Sequence, residues 1–203
     1  MTGEREDDFD RELGVSTEKT ERIYRLRTVC KRFMDANHYR ASDSFLAKRL
    51  IAELPIRPNA FCFVDIGCGK GRILISAAQA GFARIIGVEQ SPDLIGICQR
   101  NLELYARHFT SKATEVLCLD ASEFSFPPEN LVVYMYNPVR GRTMRAIIGN
   151  LRVSWTSSPR EIFILYVSPT CERMFDGEPW LEKLRSGPGL AIYRSNVRRS
   201  LLT

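Results

Sequence analysis

Ten consecutive residues, Phe63-Val64-Asp65-Ile66-Gly67-Cys68-Gly69-Lys70-Gly71-Arg72, constrain this chain more than any other feature. A short apolar run ends in an acid, three glycines follow at alternate positions, and a helical apolar pattern begins directly after them. Alternate glycines let the backbone turn sharply and approach a ligand at a distance that a Cβ would block. An acid just ahead of such a turn is badly placed for a phosphate and well placed for a cation. Seventeen residues beyond Arg72, the run Ile85-Ile86-Gly87-Val88 ends in a second acid, Glu89. Two strand ends that bring carboxylates to one edge suit a ligand carrying both an ammonium group and a ribose.

The rest of the chain alternates around that turn. Strands are expected over 61–65, 84–89, 115–119, 131–136 and 161–167. Helices are expected over 71–80, stopped by Gly81, over 91–107, with Ser91 as cap and Pro92 at its first position, and over 141–153. Beyond Pro169 the pattern is weaker: 191–195 reads as a strand, and 180–184 as a strand or a short helix. Ahead of the turn, residues 1–16 are acidic and mixed, a loose arm with a turn at Gly14. A helix is expected over 16–36, where Ile23, Leu26, Val29 and Phe33 recur at helical spacing. A second is expected over 42–54 with Phe45, Leu46, Leu50 and Ile51 on one face, closed by Pro55 and Pro58. This order predicts an α/β fold with a doubly wound, mostly parallel sheet and an N-terminal helical extension. In such sheets the ligand lies outside the carboxyl ends of the strands, where the strand order reverses.

Composition narrows the class without naming a partner. A chain of 203 residues with 44% apolar content fits one folded domain. Its apolar runs are too short for a bilayer and its first residues are polar, so no membrane partner and a cytoplasmic location are expected. Six cysteines without a Cys-x-x-Cys pair, and only two histidines (His38 and His108), argue against a metal site and for reduced, mostly buried thiols. The net charge of +5 is concentrated at Arg22, Arg25, Arg27, Lys31 and Arg32, at Arg140, Arg142 and Arg145, and at Arg198 and Arg199. Nucleic acid is compatible with that charge but is not indicated, since no aromatic-interleaved strand accompanies it.

Four successive strand ends carry polar side chains: Asp65, Glu89, Asp120 and Asn137. With the Asp65-Ile66-Gly67-Cys68-Gly69-Lys70-Gly71 turn, this series resembles the class I, seven-stranded S-adenosylmethionine-dependent methyltransferases, closest to small uncharacterised bacterial members. The likeness covers residues 60–168, and the segment from Phe9 to Thr17 is also similar to those bacterial members. A weaker likeness runs to the non-SET protein lysine methyltransferases. The resemblance implies a seven-stranded sheet and S-adenosylmethionine as cofactor. Asp65, Gly67, Cys68, Gly69 and Gly71 would then line its methionine and ribose, and Glu89, with Gln90 beside it, its ribose hydroxyls. Asp120 and Ala121 would read its adenine, and Asn137 would lie next to the transferable methyl. It also implies that residues 1–58 form an arm and helical lid, residues 59–197 the cofactor-binding methyltransferase domain, and residues 198–203 a basic tail.

Several readings of individual residues compete. A dinucleotide site has the spacing Gly-x-Gly-x-x-Gly, and the alternate glycines behind Asp65 disfavour it. Lys70 and Arg72 read as helix-start surface or as contacts to the N-terminal arm, since S-adenosylmethionine has no phosphate. The Asn137-Pro138 pair is continued by Val139-Arg140, whereas methyltransferases acting on adenine or glutamine continue with a second proline and an aromatic. That departure disfavours planar amines. Asn137 and Tyr136 are the candidate catalytic residues, with Tyr24, Tyr39 and Tyr134 available to line a pocket. The expected activity is methyl transfer to an acceptor, most simply a protein amine such as lysine, with RNA, a small molecule or a catalytically silent binding module as alternatives.

Overall fold

A computed structural model describes residues 9–17, 43–106 and 113–196. Seven strands form one sheet in the order β3-β2-β1-β4-β5-β7-β6. In chain order they are β1 Cys62–Ile66, β2 Arg84–Glu89, β3 Thr114–Cys118, β4 Leu131–Tyr136, β5 Ile162–Val167, β6 Leu181–Gly187 and β7 Leu190–Ser195. The first five run parallel, and β7 is antiparallel to both β5 and β6. The chain steps outward from β1 through β2 to β3, then returns to place β4 on the other side of β1. The order therefore reverses between β1 and β4, and that reversal opens a crevice at their carboxyl ends.

Six α-helices are described: α1 Phe9–Leu13, α2 Ser44–Glu53, α3 Arg72–Ala80, α4 Pro92–Ala106, α5 Gly141–Ser157 and α6 Glu172–Asp176. Alternate strand residues face opposite layers, as the two-residue period of a strand requires. On one face Phe63, Ile85, Val132, Tyr134 and Leu165 pack with Leu50 and Ile51 of α2, Ile73, Leu74 and Ala77 of α3, and Cys98 of α4. On the other, Val64, Ile86, Val133 and Ile164 pack with Met144, Ile147, Leu151 and Trp155 of α5 and Phe175 of α6. The central strands are buried on both faces, which accounts for their unbroken apolar runs. Each fully buried Phe or Leu contributes roughly 2 kcal/mol from burial.

The expected doubly wound sheet and helical extension are observed, with instructive differences at element edges. Helix α2 starts at Ser44 because the Asp43 carboxylate accepts from Phe45 N and Leu46 N, a cap that periodicity alone does not reveal. Its buried face carries Ala47 with Leu50 and Ile51, while Phe45 is 73% exposed, so the apolar stripe is rotated from the one expected. Helix α5 continues to Ser157, past the expected end at residue 153, because Trp155 still faces the core and stacks on Trp180 at 5.3 Å. The ambiguous stretch at 180–184 is the start of β6, paired along β7 through a hairpin. Residues 9–13 form a short helix where a loose arm was expected, although Gly14 does make the turn, with φ +65°. The expected helix over 16–36 and the basic tail over 198–203 lie outside the described residues except for Ser16 and Thr17, as do Tyr24, Tyr39, His38 and His108.

Candidate active site at the carboxyl edge of the sheet

The turn after β1 is closed by its own Gly71 N to Cys68 O bond, 2.9 Å, and is also tied to the neighbouring strand. Gly67 N and Cys68 N both donate to Val88 O of β2, at 2.8 and 3.1 Å. Gly67 adopts φ +80°, and a Cβ there would stand 2.8 Å from Pro138 Cβ. Gly71 adopts φ +87°, and a Cβ there would meet Cys98 Sγ at 2.7 Å. Both positions thus need glycine for conformation and for space. They face different ways. Gly67 is exposed and touches the Asn137-Pro138 segment across the crevice, whereas Gly71 is buried against α4.

Glu89 closes this turn from the second strand. Its Oε2 accepts from Gly69 N at 3.1 Å and its Oε1 from Ser91 N at 2.9 Å. A carboxylate offers about four lone-pair positions, so these backbone donors leave acceptor capacity for a ribose hydroxyl. Asp65, the fourth residue of β1, is only 3% exposed. Among the described residues, neither Asp65 nor Glu89 has a Lys or Arg partner. Burial, reinforced by the nearby Glu89 charge, pushes the Asp65 carboxyl up to about 8. Burial also raises Glu89, against the opposing effect of the backbone N–H groups of Ser91, Gly69 and Gln90. Two desolvated acids at one strand edge without a cation are costly unless a positive ligand joins them. These two acceptors fit a ligand that donates from an ammonium group and a vicinal diol.

The other expected site residues fall along the same edge, with unequal roles. Asp120 caps the short 3-10 turn Ala121–Glu123, its Oδ1 accepting from Ser122 N at 2.9 Å and Ser122 Oγ at 2.8 Å. Gln90, Asp120, Ala121, Tyr136 and Asn137 are all half-buried. Cys68 belongs to the turn by its backbone only. Its side chain is 5% exposed, is engaged with the Cys98 thiol, and lies in the space left by Gly87. Tyr134 is also inward, 1% exposed and near Phe63 with ring centroids 6.4 Å apart, so it lines the core rather than a pocket. Three of the five described cysteines are buried, with Cys118 exposed and Cys171 half-buried.

Asn137 sits in a local structure that strand and helix patterns do not signal. It adopts φ +40°, and Ser168, at the end of the adjacent β5, adopts φ +49°. Two non-glycine residues in the left-handed region at neighbouring strand ends mark a constrained site. Thr170 Oγ1 donates to Asn137 Oδ1 at 2.6 Å, while Thr170 N and Cys171 N donate to Tyr166 Oη at 3.3 and 3.2 Å. The polar Tyr166 inside an apolar strand and the Ser168-Pro169 pair were the available signals. Arg72 is likewise no ligand-facing cation: it is 4% exposed and bonded to Thr17 and Asp10, the arm contact that was one of its two expected readings.

Comparison with known proteins agrees with this geometry. Residues 63–150 match the family described as methyltransferase domain. A release factor glutamine methyltransferase from Geobacter sulfurreducens is 43% identical over 54 residues, 26% of this chain and 19% of that protein. A histone-lysine N-methyltransferase specific for lysine 79 of H3, from Dictyostelium discoideum, is 36% identical over 108 residues, 47% of this chain and 6% of that protein. The chain therefore spans less than a fifth of the length of either curated relative. The solved structure of a proposed RNA methyltransferase from Pyrococcus horikoshii superposes with a TM-score of 0.58 at 15% identity, covering 96% of this chain and 97% of that one. That likeness establishes the seven-stranded methyltransferase fold.

Proposed function

We propose that the protein, whose residues 63–150 match the methyltransferase-domain family, is an S-adenosylmethionine-dependent methyltransferase whose acceptor is an amine, a protein lysine foremost. The observation that carries this reading is the pair of buried acids, Asp65 and Glu89, at a glycine turn whose backbone is open at Gly67. Asp65 would meet the amino group of the cofactor, Glu89 its ribose hydroxyls, and the Asp120-Ala121 turn its adenine. When bound, the cofactor supplies a methyl group on a sulfonium sulfur, a leaving group that is already activated. The chain then needs to orient the nucleophile and exclude water, and effective molarities of ~10⁵ M or more come from such positioning. A neutral amine requires no strong base, and a lysine ammonium must first lose its proton. A carboxamide oxygen can accept more than one hydrogen bond, which suits Asn137 Oδ1 to an amine N–H as well as to Thr170.

The acceptor class is supported by the Asn137-Pro138 segment touching the glycine turn, and by the absence of the proline-aromatic continuation that serves planar amines. The likeness to a histone-lysine methyltransferase points the same way, over a limited stretch. Calorimetric titration with S-adenosylmethionine tests the cofactor, with Gly67→Arg and Glu89→Ala as losses. Absence of saturable binding, or equal binding by those variants, sinks it. Incubation of cell extract with methyl-labelled cofactor, followed by protease or nuclease, then tests the acceptor. Protease-sensitive label is expected. Nuclease-sensitive label assigns RNA, label in small molecules assigns that class, and binding without transfer makes the protein a silent binding module.

A further inference from the structure

Arg72 ends the glycine motif and is the first residue of α3, where the positive end of a helix disfavours a cation. Its burial adds a second cost. The N-terminal segment offsets both. Arg72 Nη2 meets Asp10 Oδ1 at 3.2 Å, Nε donates to Thr17 Oγ1 at 2.7 Å, and the guanidinium lies 4.9 Å from the Phe9 ring centroid. Asp10 is held in turn by Thr17, whose N donates to Oδ2 at 2.6 Å and whose hydroxyl donates to Oδ1. Phe9 and Val15 bury themselves against Ile75 of α3 and Tyr105 of α4, so the segment is fixed by packing as well as by charge.

A third residue links this segment to the glycine turn. Asn101 of α4, 3% exposed, accepts from Ser16 N at 3.0 Å, donates to Ser16 O at 3.1 Å, and donates to Lys70 O at 2.9 Å. The two hydrogens of its amide serve both carbonyls. On the preceding residue, Gly69 N donates to Glu89 Oε2. Glu89 therefore grips the Gly69-Lys70 unit by its N–H and Asn101 grips it by its C=O.

We infer that residues 9–17 are a positioning strap, in which Asp10 and Thr17 hold Arg72, and Ser16 through Asn101 of α4 holds Lys70, so that the glycine turn keeps the shape that receives the cofactor. The inference rests on reading this edge as an S-adenosylmethionine site, and it assigns the strap no direct contact with the cofactor. The strap has two physical effects. Through Asn101 it fixes the Lys70–Gly71 peptide plane, opposite the Gly69 N–H that Glu89 holds, which lowers the ordering cost of binding. It also pairs the Arg72 charge with Asp10, so that this guanidinium does not oppose a cationic ligand at the turn.

The test uses the full chain and S-adenosylhomocysteine as probe. Dissociation constants, thermal midpoints and the 1H–15N signal of Gly69 are compared for the wild type, Asp10→Asn, Asp10→Glu and Asn101→Ala. Leu151→Ala, on α5 in the opposite layer, serves as a control for general destabilisation. Asp10→Asn and Asn101→Ala are expected to weaken binding about tenfold, the lower end of what outer partners of a ligand site contribute. Both should shift the Gly69 signal, and Asp10→Glu should recover part of the affinity. Leu151→Ala should lower the midpoint without moving either readout. Binding within twofold of wild type in Asp10→Asn and Asn101→Ala, or an equal loss in Leu151→Ala, overturns the strap. If the wild type itself fails to bind, the cofactor reading fails. The strap is then judged by amide exchange at Gly69, expected faster in Asp10→Asn than in Leu151→Ala and overturned if equal.

Discussion

Asp65 should release its proton when the cofactor binds. In the unliganded protein its carboxyl stands at about 8, so at pH 7 it is mostly protonated. An ammonium group arriving beside it favours the ionised form and returns the carboxyl toward its ordinary range. Ionising a group of pKa 8 at pH 7 costs about 1.4 kcal/mol, which is a tenfold reduction in affinity relative to high pH. Below that pH the penalty grows by about one further factor of ten per unit. Titrations with S-adenosylhomocysteine between pH 5.5 and 7.5, in paired buffers of different ionisation enthalpy, read this directly. Affinity should rise with pH, and roughly nine tenths of a proton should be released at pH 7. Asp65→Asn should bind more weakly at the upper end of the range and lose the pH slope. A flat affinity profile in the wild type, or the same proton release from Asp65→Asn, refutes the assignment of Asp65 to the amino group.

The same carboxyl makes the unliganded fold less stable as pH rises from about 4 to about 8, because the unfolded chain releases this proton first; urea melts of wild type and Asp65→Asn across that window should diverge. Gly67→Ala should lower stability by about 1–3 kcal/mol and abolish cofactor binding, since it demands a strained φ and drives a Cβ onto Pro138. Thr170→Val should leave the cofactor dissociation constant unchanged and slow methyl transfer to the labelled acceptor, because it removes the hydroxyl that orients Asn137; weakened cofactor binding in this variant would contradict that role. Arg160→Leu should cost about 3 kcal/mol in denaturant melts while cofactor affinity holds, since its guanidinium serves the carbonyls of Pro127, Glu129, Ser154 and Ser158.

Local chemistry made much of this protein readable from residue order alone. Strands β2 and β4 lie where their apolar runs predict, and Gly71, Gly81 and Pro92 bound their helices because left-handed glycine and N-terminal proline are local devices. The acids at Asp65 and Glu89 were legible for the same reason: a carboxylate that closes a buried apolar strand is costly unless a ligand or donor meets it there. Side-chain direction was less legible. Cys68 and Tyr134 lie in motif-bearing segments yet turn into the core, because Gly87 leaves room for the sulfur and Phe63 offers a ring to the tyrosine. Phe45 shares a helix with buried neighbours and is exposed, because the cap at Asp43 and the packing on α3 set the rotation of α2.

Contacts between residues far apart in the chain were decided only by the fold. The sequence determined the glycine turn, the two strand-end acids and the alternation that places them on one edge, since each depends on residues within a few positions. The tertiary structure decided that Arg72 faces Asp10 across 62 residues, that Asn101 reaches both Ser16 and Lys70, and that Thr170 orients Asn137 across 33. Such pairings follow from the order of strands in the sheet and from which helix layer each segment joins, and no short-range pattern encodes them.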